Sequence, residues 1–205
     1  RSRRNAEFLM EHLKALSGRL AIRLTGQKPP TSELIALAIS HAHCRTAAET
    51  DECWTSLESG FFIPVDDIRD LLPPLAMPRA GRVQTEEPSD AETGRGARPD
   101  LIYVSLISRR GLQFRFIEVK YRRHLRTARS PEILEKLRTQ VESLRQRWDE
   151  WYEAENVPSV FRAVRRAKLA RVLRFYADKA QRHYLQRPVY EALVSEIDRM
   201  VAKGG

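Results

Sequence analysis

Asp100 directly follows Pro99, and after seventeen intervening residues the chain reads Glu118-Val119-Lys120. Acidic and basic groups brought together away from water are the raw material of acid–base and electrostatic catalysis. The segment Phe114-Arg115-Phe116-Ile117-Glu118-Val119-Lys120 reads as a central β-strand. Strand alternation puts Phe114, Phe116, Glu118 and Lys120 on one face and Ile117 and Val119 on the other. A carboxylate and an ammonium beside two phenylalanines incur a desolvation cost that packing alone does not demand, so a function is expected to require them. A tight turn at Arg109 to Gly111 returns the chain and brings Asp100 and Glu118 near each other.

The elements that must position these groups can be read from periodicity. Leu101 to Ile107 is a buried strand, and the strand from Gln113 to Tyr121 pairs back on it as a hairpin. Before them, Phe8, Leu9, Leu13, Leu16, Leu20 and Leu24 recur at helical steps, which predicts one amphipathic helix from Ala6 to Leu24, ended by Gly26 and Pro29-Pro30. A second helix, capped by Thr31 or Ser32 and running toward Ala48, is apolar on most sides and should be buried. Phe61 to Val65 is a short strand, after which Asp66 or Asp67 caps a brief helix through Leu72. Residues 73–98 are rich in proline, glycine and acidic residues, with few large apolar groups, and are expected to form a flexible loop. Behind Ser130-Pro131 a helix carries Leu134, Leu137, Val141, Leu144, Trp148 and Trp151 on the stripe that should pack on the sheet. Two more helices, Val160 to Tyr184 and Tyr190 to Val201, are expected on either side of Pro188.

Pro99-Asp100 and Glu118-Val119-Lys120, in this strand and helix context, resemble the PD-(D/E)xK signature of the restriction-endonuclease-like nucleases. The resemblance covers roughly residues 6–150. It implies an α/β fold with a restriction-endonuclease-like core, a central mixed β-sheet flanked by helices, over residues 1–155. Residues 156–205 would then be a basic helical extension packed on that core. The implied chemistry is magnesium-dependent hydrolysis of DNA phosphodiesters, with manganese as a substitute ion. Asp100, Glu118 and the backbone carbonyl of Val119 would offer hard oxygen ligands, and Lys120 would orient or deprotonate the attacking water. Many members of the family also place a glutamate on the first helix, which here is Glu7 or Glu11, one turn apart. The RecB branch carries a glutamine on the helix behind the strand, and Gln140 is in that position. That branch follows its glutamine with tyrosine four residues later, where this chain has Leu144.

Charge points to the same class of partner. The chain of 205 residues carries 36 Lys and Arg against 27 Asp and Glu, a net charge of +9, which favours a polyanion. Between Ile107 and Arg129 lie eight basic residues, Arg109, Arg110, Arg122, Arg123 and Arg126 among them, against the single acid Glu118. A second basic run includes Arg162, Arg165, Arg166, Arg171 and Arg174. On that helix Phe161, Val164, Leu169, Val172, Leu173 and Tyr176 are expected to form the apolar side, leaving the arginines to contact DNA phosphates. No apolar run approaches a membrane span and no signal-peptide core follows the basic start, so a cytoplasmic protein without a membrane partner is expected. Two cysteines exclude a disulfide scaffold. His41, His43, Cys44 and Cys53 lack the paired spacing of a zinc site. There is no GxxxxGK[ST] loop, and the chain starts with Arg. It is therefore expected to be the nuclease module of a larger bacterial anti-phage defence or restriction protein, with further domains or subunits supplying recognition or ATP hydrolysis. Two alternatives remain open. One is a Holliday-junction-resolvase-like homodimer joined through Trp148, Trp151 and Tyr152. The other is a catalytically silent DNA-binding or assembly module on the same fold.

Overall fold

A computed structural model describes residues 2–25, 32–46, 55–72, 100–107, 111–120, 131–152 and 158–202. It is a mixed α and β structure, mostly helical, around a small antiparallel sheet. The elements are α1 (Ser2–Leu16), α2 (Gly18–Thr25), α3 (Ser32–Thr46), β1 (Gly60–Pro64), a 3-10 helix (Val65–Leu71), β2 (Leu101–Ile107), β3 (Gly111–Ile117), α4 (Pro131–Tyr152), α5 (Ser159–His183) and α6 (Arg187–Ala202).

The expected hairpin is present, with Leu101 opposite Ile117 and Ile107 opposite Gly111, and β1 pairs antiparallel on the other side of β2. Among the described residues the sheet is therefore antiparallel rather than mixed. Its order is β1-β2-β3, so β2 is the central strand and β3 an edge. The segments described after β3 are all helical and add no parallel strand. Gly60, at the start of β1, has no alternative residue: a Cβ there would lie 2.3 Å from the Val104 carbonyl oxygen and 2.7 Å from the Tyr103 ring.

Alternation divides the sheet into two buried faces. Phe61, Ile63, Ile102 and Val104, with Phe114 and Phe116 of β3, pack against α4, α5 and α6 through Leu144, Trp148, Leu169, Leu173, Leu193 and Ile197. Phe62, Leu101, Tyr103, Ile117 and Val119 face the other way, onto Leu13, Leu16 and Leu20 of the first two helices and Leu34, Leu37 and Ala38 of α3. The helices of the basic extension are thus built into the first core, where truncating the fully buried Leu173 to alanine would cost about 2–5 kcal/mol. Tyr184, just beyond α5, packs against both cores. No helix among the described residues is long and apolar enough to cross a membrane.

Three sequence expectations need correction. The first amphipathic helix is two helices broken at Ser17, because its hydroxyl takes the Arg19 N–H at 3.2 Å and starts α2 afresh. Asp66 and Asp67 do not cap the 3-10 helix, whose cap residue is Pro64 with no side-chain bond. Asp67 instead accepts hydrogen bonds from the hydroxyls of Ser17 and of Tyr176, the latter at 2.6 Å, with the Arg19 guanidinium 3.8 Å away. That carboxylate ties together the α1–α2 junction, the 3-10 helix and α5. Finally, of the three residues expected to join two copies, Trp151 is half-buried beside Arg165, and Trp148 and Tyr152 turn into the first core. Both are buried, with Trp148 packed on Phe114, Phe116 and Tyr152 at centroid distances of 5.1, 5.5 and 4.6 Å.

Candidate active site

The Asp100 N–H donates to the Ile117 carbonyl at 3.0 Å, and the Asp100 carbonyl accepts the Val65 N–H at 3.0 Å. Asp100 is therefore fixed between β1 and β3 at the mouth of β2. The ladder ends at the Leu101–Ile117 pair, and Asp100 and Glu118 lie just beyond it, near enough that the Glu118 charge acts on Asp100. Regular alternation stops there: the Asp100 N–H turns to β3 and its carbonyl to the β1 side, and Glu33 of α3, a helix of the second core, also acts on its carboxylate. Val119, between Glu118 and Lys120, packs on that second core.

The acids differ in their surroundings. Glu118 has a side chain only 4% exposed and holds the Lys120 ammonium at 2.7 Å, while Lys120 is 35% exposed and reaches solvent. Asp100 Oδ2 accepts the Val119 N–H at 2.7 Å. Burial pushes the Asp100 carboxyl up to about 7 from its ordinary value of 3.8; the Glu118 charge adds to the rise, and the Val119 hydrogen bond and Lys120 oppose it. One ammonium thus serves two neighbouring acids.

Gln140 lies on α4, the helix that packs on Phe114 and Phe116 of β3. Tyr152 and Trp148 lie beside Gly111 and Leu112 at the start of β3, and Trp148 also touches Phe116. Gln140 Oε1 is buried and takes no hydrogen bond among the described residues. Asp100 and Glu118 bring two carboxylates, hard oxygen donors of the kind magnesium prefers, to one end of the hairpin beside Lys120. Among the described residues no group of three or more His, Cys, Asp or Glu side chains is gathered as a metal site would require.

The first-helix glutamates have other partners. Glu11 accepts a hydrogen bond from Arg45 at 2.6 Å, and Glu7 accepts one from Arg3 at 3.0 Å. The helical glutamate whose charge reaches Asp100 is Glu33, in the first turn of α3, which pairs with Arg23 at 3.4 Å. Its signal in the sequence is that it opens the helix immediately before β1. The histidines and cysteines go elsewhere: His41 Nδ1 lies 2.9 Å from His12 Nδ1, and Cys44 Sγ lies 3.4 Å from Thr55 Oγ1. Burial pushes His41 down to about 3, so that pair is neutral.

Of the expected phosphate contacts, Arg109, Arg110, Arg122, Arg123 and Arg126 lie outside the described residues, as do Cys53 and the 73–98 loop. Arg162, Arg165 and Arg166 are half-buried and Arg171 and Arg174 are exposed. The Arg165 guanidinium sits 3.5 Å from the Trp151 ring centroid and donates to the Trp151 carbonyl at 3.0 Å, while Arg174 pairs with Asp198 at 2.5 Å. Two residues of the expected apolar side turn outward: Phe161 is 61% exposed and Val164 is exposed as well. The core claims only the arc through Leu169, Leu173 and Tyr176, whereas Phe161 and Val164 lie around the helix on the solvent side. A scan against protein-family models and comparisons with curated proteins and with solved structures find no match to this chain.

Proposed function

We propose that this chain is a magnesium-dependent DNA endonuclease with the site of a PD-(D/E)xK enzyme, acting as the nuclease module of a larger bacterial defence or restriction protein. The observation that supports the reading most is the meeting of Asp100 and Glu118 at the end of the hairpin, with Lys120 bound to Glu118 and the Asp100 carboxyl raised to about 7. Asp100 and Glu118, with the Val119 carbonyl, would hold the ion. Bound there, magnesium supplies a Lewis acid for the scissile phosphate and a more acidic water. Asp100 must be ionised to serve as a ligand, and the Val119 N–H and Lys120 both favour that form. Lys120, the most exposed of the three, faces the incoming phosphate, where its ammonium offsets developing charge and orients the attacking water. Burial of both acids keeps bulk water from them and so strengthens these interactions.

The decisive experiment is cleavage of supercoiled and linear DNA with magnesium or manganese by the wild type, Asp100→Ala and Lys120→Ala, with DNA binding measured in parallel. Nicking or cutting by the wild type alone, with binding retained by all three, is the expected result. Equal cleavage by all three at equal binding would remove Asp100 and Lys120 from the reaction. Salt-sensitive binding with no cleavage by any of them, and none by a longer protein carrying the chain, would leave a DNA-binding module.

A further inference from the structure

A cavity of about 300 Å³ opens between the start of β3, the end of α4, and the helices α5 and α6. It is separate from the acids, lying at the start of β3 while they flank its end. Phe114 lines it and precedes Glu118 by four residues along the chain, a separation of roughly 13 Å. Phe114, Trp148 and Tyr152 provide aromatic walls, and Arg166, Glu196 and Arg199 bring charge to an otherwise apolar space. The three charges are not equivalent. Glu196 and Arg199 satisfy each other, with Arg199 Nη1 2.5 Å from Glu196 Oε1, and the Glu196 side chain is largely buried. Arg166 is half-buried and takes no ion pair or hydrogen bond among the described residues. A guanidinium held at an aromatic cavity without an acid calls for an anion, and its planar fork matches phosphate.

We propose that this cavity binds a nucleobase carrying a phosphate. The base enters against the Phe114, Trp148 and Tyr152 rings, and the phosphate meets Arg166. Glu196, its other oxygen available, accepts a hydrogen bond from an amino group on the base. The volume is at the lower end of the range for small-molecule sites, enough for a nucleoside and too small for a base pair. Two sources share this chemistry. One is a free mononucleotide; the other is a base swung out of a DNA strand whose neighbouring phosphates reach Asp100 and Glu118. Only the second source rests on the nuclease reading.

The test is titration calorimetry of the wild type, Arg166→Gln and Met200→Trp with the four deoxynucleoside 5′-monophosphates. Met200 also lines the cavity, so its replacement fills the space while leaving the charges in place. Binding by the wild type is expected, weakest for thymidine monophosphate, which has no amino group. Arg166→Gln should weaken it about tenfold or more, and Met200→Trp should abolish it. The second arm repeats the measurement with a duplex containing one mismatched base and with the fully paired duplex. Preference for the mismatched duplex, lost in Met200→Trp, identifies the swung-out base; mononucleotide binding without that preference identifies the free nucleotide. Absence of both, or binding that neither variant changes, overturns the site. Asp100→Ala should bind mononucleotide as the wild type does, so a failed cleavage assay and a failed cavity are separate results.

Discussion

Asp67 and Asp100 are both aspartates at the border of the same core, and their circumstances are opposite. Asp67 collects two hydroxyl hydrogen bonds and a nearby guanidinium from three separate elements. Asp100 has one main-chain N–H on its carboxylate, a second carboxylate nearby, and a carboxyl that burial holds near neutrality. A buried acid is therefore no sign of function by itself. The donors aimed at the two carboxylates differ: two hydroxyls and a guanidinium at Asp67, one main-chain N–H at Asp100, where burial disfavours the charge.

If that contrast is right, mutating the two acids should damage different properties. The largest effect expected is on cleavage: Asp100→Ala or Lys120→Ala should lower the rate by about 10²–10³-fold or more per folded molecule, with DNA binding retained, as read by plasmid nicking and a binding titration. Asp67→Ala should reverse that pattern. Leaving the Ser17 and Tyr176 hydroxyls unsatisfied should cost about 1–3 kcal/mol in denaturant unfolding, with cleavage per folded molecule unchanged; Tyr176→Phe should cost about 1 kcal/mol. A stable Asp67→Ala protein without activity would erase the distinction.

A third prediction concerns pH. The Asp100 carboxyl rises from 3.8 in the unfolded chain to about 7 in the fold, so between those values the native state holds a proton that the unfolded state has released. The Asp100 contribution to stability is therefore fully present at acid pH and lost as pH rises toward 7. Melting temperature should be higher at pH 5 than at pH 7.5, and Asp100→Asn should flatten the difference. Added magnesium should raise the melting temperature more at pH 7.5 than at pH 5, since the ionised acid is the ligand. The smallest effect expected belongs to Glu33: Glu33→Gln should move this dependence to slightly lower pH, and Glu11→Gln should leave it in place.

The meeting of Asp100 and Glu118 was legible because it needs only alternation and a tight antiparallel return, both local properties of the chain. Strand order is not local. The pattern around Phe116 looks central because both faces carry apolar groups, yet β3 borders the described sheet and gains its burial from helices on either side. The break at Ser17 was hidden because Leu13, Leu16 and Leu20 keep helical spacing across it. The mistaken inner side of α5 has a related cause: the apolar positions from Phe161 to Tyr176 span about half the helix circumference, more than the core covers. That Glu33, and neither Glu7 nor Glu11, acts on the charge of Asp100 could not be read from the sequence, because tertiary packing decides which helix comes near the mouth of β2.

Tyr184 has a consequence for how the molecule comes apart. Its ring packs with the helices on both sides of the sheet and lies edge-on to His41 at 5.6 Å. Two cores separated by a sheet could open independently, each with its own free energy of exposure. A side chain shared by both makes that independence costly, because neither core can open around it without stripping contacts from the other. Amide hydrogen exchange in α3 and in the middle of α5 should therefore report one common opening event, and Tyr184→Ala should split it into two.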